Sequence, residues 1–478
     1  MRFSIFFTVV SILNFVSVAK GQWLETTILL PDSIQPGACR AGFDGPFLIW
    51  NSKDNKICCV SVESDNLLII NGETNDIITS LPVGITPTAL TWNAINDKIY
   101  CANWRSGDVT IIDGATDSVI RSIYNPEYPY APIVLLWNSI DNKVYCAHEG
   151  NYITVLDGAS DTVITTILVG GHHHALAWNA INDKIYCANS LDSTVIVIDG
   201  ATDTVIASII VGKDPYTLVW NSTDNKVYCA KLWGGIAVID GETDKVINTI
   251  PTGTIARFAL VWNSIENKVY HANGSNDEVI IIDGKTDSII ATIQAGDFPG
   301  ALAWDSINNK VYCANECSDD ITVIDGVTDS VVITIGVGGC PCDLVCNPKQ
   351  NRIYVANCSE SSISVIRDTP EGVEEDTPKV YDVLSKWPSL QSYPSIFRKF
   401  SVISYRLSSS AHVSLKVYNI TGQLVRTLVT EYQEPGLYKV TWEGKNSARK
   451  TVPSGIYFYK LNIDGTEFMA TRKVIVMR

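Results

Sequence analysis

The chain is 478 residues long and carries 36 basic against 51 acidic residues, a formal charge of −15. Hydrophobic residues at 46% with charged residues at 18% exclude a disordered chain, which is poorer in apolar residues and richer in charge. The acidic balance speaks against nucleic acid as a partner, because phosphate contacts need clustered Lys and Arg.

The first element is a targeting segment. Met1-Arg2 is a short basic start, residues 3–18 are almost wholly apolar, and small residues follow at Ala19 and Gly21. This pattern predicts a secretory signal peptide over 1–21, cut after Ala19 or, as Ala19-Lys20-Gly21, before Gln22. A membrane anchor fits less well, since the apolar run is short and interrupted by Asn14. No later stretch reaches the ~20 apolar residues of a spanning helix, so no transmembrane segment is expected in the mature chain. The expected location is outside the cell or on the outer surface of a bacterium, where disulfides form.

A repeat follows. Trp50, Trp92, Trp137, Trp178, Trp220, Trp262 and Trp304 recur with Cys346 in register after them, at spacings of 42, 45, 41, 42, 42, 42 and 42 residues. The fifth unit shows four short runs rich in β-branched and aromatic residues, at 217–221, 225–230, 236–241 and 245–250. Four strands in ~42 residues is the mark of a propeller blade. The eighth unit has three strands (344–346, 352–356, 363–366) and then runs into Asp368-Thr-Pro, while 25–31 reads as an orphan fourth strand. The expected fold is all-β: an eight-bladed β-propeller over 22–367, with the N-terminal strand closing the last blade. Seven blades with one irregular unit is the alternative.

The repeated Tyr-Cys-Ala-Asn, Val-Ile-Asp-Gly-Ala-Thr-Asp-Ser-Val-Ile and Thr-Ile-Val-Gly runs resemble the YVTN family of propeller repeats, related to YncE-like proteins. The resemblance implies the fold and does not fix the function.

Residues 368–394 read as a Pro/Glu linker. From Pro394 onward there are 13 basic and 5 acidic residues, a net of +8, which leaves −23 for the rest. Six further strands over 395–478 predict a small Ig-like β-sandwich. Val413-Ser-Leu-Lys-Val-Tyr-Asn-Ile-Thr-Gly, Gly436-Leu-Tyr-Lys-Val-Thr-Trp and Pro453-Ser-Gly-Ile-Tyr-Phe-Tyr resemble the FlgD Ig-like module and, equally, the C-terminal sorting domains of type IX-secreted proteins. The second resemblance implies the cell envelope or secretion machinery as a partner.

Candidate sites come from comparing the units. The turns before strand two and strand four barely vary, and Asp113, Asp157, Asp199, Asp240, Asp283 and Asp325 each precede Gly there, as turn residues or, alternatively, calcium ligands. The loops of the opposite face vary, and such loops cluster at a propeller's channel mouth. They carry Trp104, Arg105, His148, Glu149, His172, His173, His174, Asp214, Tyr216, Lys231, Trp233, Arg257 and Phe258, the candidate binding face for a protein or glycan ligand. His172 and His174 with His148 are the candidate ligands of a divalent metal; a solvated loop is the competing reading.

Eight cysteines, Cys58, Cys59, Cys101, Cys146, Cys187, Cys229, Cys313 and Cys346, fall on strands and are expected to be buried thiols. Cys39, Cys317, Cys340, Cys342 and Cys358 map to variable loops near the ring closure and predict at least one disulfide, preferably Cys39–Cys358; a Cys-rich metal site is the alternative. No nucleophile elbow, His-Glu-x-x-His or phosphate loop occurs. The expected role is a non-catalytic surface binding scaffold without a cofactor. The competing class is a metal-dependent lactonase or lyase propeller using His172, His174, His148 and Glu149.

Overall fold

The computed structural model describes residues 22–30, 36–37, 46–124, 131–253, 258–368, 390–393, 396–397, 401–407, 410–434, 436–463 and 469–476. The chain divides into two compact units, 1–374 and 375–478.

The first unit is all-β and holds eight four-stranded antiparallel sheets among the described residues. The first sheet is Leu48–Asn51, Lys56–Ser61, Asn66–Asn71 and Ile77–Pro82, paired in sequence order. The second to seventh sheets repeat that order from Pro87, Pro132, His173, Pro215, Phe258 and Pro299. The eighth combines Pro341–Asn347, Arg352–Asn357 and Ser362–Asp368 with the N-terminal strand Gln22–Leu29. The first and last parts of the unit are thereby joined by a hydrogen-bonded ladder, Gln22 opposite Asp368 and Leu29 opposite Ser362.

Burial explains the sequence pattern. Second and third strands such as Lys98–Asn103 and Asp108–Asp113 are buried on both faces, because each sheet is covered by a neighbour on either side. Fourth strands such as Ser118–Tyr124 lie exposed on the outside. The core is accordingly divided between successive sheets. Ile28, Tyr354 and Ile363 of the eighth sheet pack with Leu48, Ile57 and Leu68 of the first, and Ala177, Tyr186 and Val197 of the fourth with Val227 and Ala237 of the fifth. The first strands of consecutive sheets touch, and that of the eighth touches that of the first.

The second unit has a three-stranded sheet (Leu390–Tyr393, Ser401–Leu407, Gly436–Trp442) and a five-stranded sheet in the order Ile396–Phe397, Met469–Val476, Gly455–Ile463, Ala411–Asn419, Leu424–Gln433. Alternate residues of both enter one core around Trp442, whose ring meets Tyr457 and Tyr459 edge-on at 5.3 and 5.8 Å.

Both edges of the expected linker 368–394 are structured. Asp368 is a fully buried end of the third strand of the eighth sheet, and Leu390–Tyr393 is a strand paired with Ser401–Leu407. A short strand flanked by Pro388 and Pro394 carries too little pattern to stand out from a Pro-rich stretch.

Candidate functional site

The two ends of the sheets do different work. At the turn end, one basic residue per unit crosses to the next sheet. Lys143 Nζ donates to Gly200 O and Ala201 O at 2.8 and 3.2 Å and to the Asp203 carboxylate at 2.8 Å. The same bridge recurs as Lys56–Asp117, Lys98–Asp161, Lys184–Asp244, Lys226–Asp287 and Lys268–Asp329, at 2.7 to 2.9 Å. A tyrosine hydroxyl joins most of them, as Tyr145 to Asp203 at 2.6 Å. Lys310–Asp368 links the seventh sheet to the eighth, and Arg352 donates to Gly72 O and Glu73 O of the first. Arg352 also pairs with Glu25.

The six turn aspartates stand one position class away from these bridges. Asp113 Oδ1 accepts Ala115 N, Thr116 N and Thr116 Oγ1, an Asx turn, and these bonds hold its carboxyl below the usual range. Asp157, Asp199, Asp240, Asp283 and Asp325 each bond the residue three positions on in the same way. The recurrent lysines, tyrosines and turn aspartates here are committed to structure. The bridging lysines were missed as a group in the sequence; their signal was one basic residue per unit, six positions after each Trp.

The opposite end is irregular. In six units the first strand slips register by one residue just inside this end, which leaves Thr88, Ile133, His174, Tyr216, Gly300 and Cys342 as bulges. A bulge re-aims its side chain out of the ladder. The residue two positions earlier has a left-handed backbone at Thr86, His172, Asp214, Phe298 and Cys340, with φ of 54° to 60°. Left-handed backbone is uncommon for residues other than Gly, Asn and Asp, so the same kink in five units marks a built feature.

On this frame His172, His174 and Tyr216 come together. His172 Nδ1 lies 3.2 Å from His174 Nε2, and the His174 ring stacks on Tyr216 of the next sheet at 4.2 Å. His173 points the other way, into the protein. Its Nδ1 is 2.6 Å from Asn189 Oδ1, and burial lowers its pKa to about 4. Beside the stack, Lys213 Nζ lies 5.5 Å from the centre of the Trp233 ring, which is 48% exposed. Asp214 shapes the kink and accepts Leu232 N at its carbonyl. Two sheets away, Trp104 Nε1 donates to Glu149 at 2.9 Å, and Arg105 covers the Trp104 ring at 5.8 Å.

Two expected site residues belong to the framework instead. His148 and Lys231 are 4% and 5% exposed and end their second strands at the position filled elsewhere by Asn103, Asn189, Asn273, Asn315 and Asn357. His148 Nε2 lies 3.0 Å from Thr154 Oγ1, and Lys231 Nζ donates to Val211 O at 3.0 Å; burial lowers the lysine pKa. The column is visible in the aligned repeats as a recurrent asparagine. His148 also packs on the Tyr152 ring of its own sheet at 4.4 Å. Among the described residues no three His, Cys, Asp or Glu side chains gather as an ion would require. Arg257 and the side chain of Phe258 lie outside the described residues.

The strand thiols are buried except Cys346, which is half-buried. Of the loop set, Cys317 is exposed, but Cys342 is a buried strand residue, because the first strand of the eighth sheet begins already at Pro341. Cys358 is disulfide-bonded, whereas the other candidates Cys317, Cys340 and Cys342 carry thiols, that of Cys340 lying 3.4 Å from the Cys358 sulfur without a covalent bond. Cys39 lies outside the described residues.

Comparison with known proteins agrees with this architecture. No curated protein matches the chain. The computationally designed Ika8 protein is 16% identical with a TM-score of 0.57, over 70% of this chain and 99% of that one. BamB from Moraxella catarrhalis is 13% identical with a TM-score of 0.54, over 72% and 99%. Both likenesses are of fold alone. The FlgD Ig-like domain model matches residues 398–466, within the second unit. The YNCE-like β-propeller model matches residues 162–413, more than half of the 478 residues, and the chain therefore belongs to the YNCE-like β-propeller family.

Proposed function

We propose that the first unit is a closed ring of eight blades that acts outside the cell as a non-catalytic binding scaffold. The cycle of inter-sheet bridges supports the closure, since Arg352 returns it from the eighth sheet to the first. Export is supported by the apolar leader and by the disulfide at Cys358. The preferred partner of Cys358 is Cys39. The second unit serves as the attachment or sorting module.

One observation carries the binding role. Repeat polar groups at the turn end are consumed by structure, whereas the bulged end presents non-repeating rings and charges on a rigid frame. Half-buried Tyr216, backed by the buried ring of His174, and the exposed face of Trp233 suit sugars or aromatic peptide side chains. His172 and His174 supply two imidazoles for an ion, and His148 does not join them, so the metal-dependent enzyme is the weaker reading.

The test is binding of the full mature chain to arrayed glycans and peptides, compared with a His174→Ala/Trp233→Ala variant of unchanged thermal midpoint. A ligand lost by the variant is expected. Ligands bound equally by both proteins, or none at all, overturn the assignment of this face.

A further inference from the structure

The repeat chemistry changes at the eighth–first seam, where Arg352 and Asn75 stand in for the lysine and aspartate, and breaks further between the seventh and eighth sheets. Elsewhere the residue after the repeat Trp is a buried Asn (Asn51, Asn93, Asn138, Asn179, Asn221, Asn263), whose amide donates to the next sheet, as Asn263 to Asn309 at 2.7 Å. Here it is Asp305, 2% exposed. Elsewhere the bridging lysine meets a turn with an aspartate and two carbonyls. In the eighth sheet no turn joins the third and fourth strands, since the fourth is the N-terminal strand. Among the described residues Lys310 reaches only Asp368 Oδ1, at 3.0 Å.

The result is a buried, unbalanced cluster. Two carboxylates, Asp305 and Asp368, face one ammonium, Lys310, and none of the three is more than 7% exposed. Asp368 Oδ2, the Tyr312 hydroxyl and Gln22 Oε1 make no hydrogen bond of good geometry among the described residues, although Asp368 lies close enough to Tyr312 and Asp305 to raise the pKa of both. A buried acceptor without a donor is costly, and an uncompensated buried charge more so. Burial and the neighbouring Asp368 raise the Asp305 pKa to about 6. Asp305 accepts Ile307 N and Asn308 Nδ2, both at 2.9 Å, and a second cationic donor would balance the two carboxylates.

Such a donor lies at hand. Gln22 is 4% exposed, stands opposite Asp368 in the strand ladder, and donates its side-chain amide to Asp368 Oδ1 at 2.6 Å. Partners opposite each other in an antiparallel ladder have Cα atoms about 5 Å apart, which brings the Gln22 nitrogen within a side chain's reach of the carboxylate. We propose that the chain is cut immediately before Gln22 and that the new α-ammonium seats in this cluster against Asp368 and Asp305, so that processing completes the seam. Water hydrolyses the Gly21–Gln22 peptide bond, leaving a carboxylate on Gly21 and an ammonium on Gln22. The cut precedes folding, because Gln22 is buried afterwards. This inference rests on the export reading.

Two measurements test it. In the first, purified protein released from a tag with Gln22 as its first residue is compared with protein that retains Lys20-Gly21. The Gln22 start is expected to unfold about 3 °C or more higher. The gain should vanish in Asp368→Asn and shrink in Asp305→Asn, which restores the repeat residue. Equal midpoints, or a gain that survives Asp368→Asn, overturn the seat. In the second, exported protein is sequenced from its N-terminus and weighed. A free Gln22 supports the proposal. A start at Lys20, or a Gln22 cyclised to the uncharged lactam, overturns it. A chain that keeps residues 1–21 in cells overturns the cut and the export reading together, whereas equal midpoints overturn the seat alone.

Discussion

Replacing Lys143 by Met isolates one inter-sheet bridge. The methionine keeps most of the apolar stem and deletes the charge that meets Gly200 O, Ala201 O and Asp203. Lys143 and Asp203 side chains are 11% and 8% exposed, so Asp203 is left enclosed with the Tyr145 hydroxyl as its remaining side-chain partner. Removing one member of a buried pair costs about 3–5 kcal/mol. Unfolding entropy of about 2 cal/mol/K per residue over a unit of roughly 350 residues gives about 0.7 kcal/mol per degree. The expected fall in Tm is therefore about 4–7 °C. Lys53→Met is the control, because Lys53 also reaches the next sheet, 3.1 Å from Asp97, but is 57% exposed. Asp97 is itself buried but keeps Asn51 Nδ2 and Trp92 Nε1 as donors when the solvated lysine is lost, so the cost is about 1 kcal/mol, or about 1 °C here, and salt screens it. Calorimetry of both variants at low and high salt decides the matter. Equal shifts for Lys143→Met and Lys53→Met would refute the argument that burial sets the strength of the bridge.

Two further outcomes follow from the titratable groups. Asp343, where the eighth sheet meets the first, accepts Phe47 N and Leu48 N at 2.7 and 2.8 Å, and burial raises its pKa to about 6. A folded value above the unfolded one means that its contribution is present at low pH and lost as pH rises through about 4 to 6. Asp343→Asn keeps an acceptor without the charge, so the variant should gain on the parent between those values, by at most about 3 kcal/mol. A pH-independent difference in unfolding midpoint would show that the carboxylate does not titrate in this window. Among the thiols, maleimide should modify exposed Cys317 well before Cys58, Cys101, Cys146, Cys187, Cys229 and Cys313, which are buried and shifted upward by desolvation. Fast labelling that persists in Cys317→Ser, read by peptide mass, would contradict the burial of the strand thiols.

Much of the architecture was legible because the chain states it repeatedly. A Trp every 42 residues and four β-branched runs between turns fix the strands, and a missing fourth strand at one end with a spare one at the other fixes how the ends meet. The candidate binding face was legible only as a set of loops. His172, His174 and Tyr216 were visible as non-repeating residues, but so were His148 and Lys231, which structure turns inward. Aligning the units as columns separates the two groups, since His148 and Lys231 fall in the recurrent asparagine column.

Sequence alone determined the local order: strand, turn and repeat, the acidic first unit against the basic second, and the apolar run over residues 3–18. These are properties of residues near one another in the chain. Tertiary structure decided which charges meet. Lys143 finds Asp203, Arg352 finds Gly72 and Glu73, and Gln22 finds Asp368 across 346 positions of sequence. The bulges that bring His174 onto Tyr216 were decided there too, because a one-residue slip in register exists only between paired strands.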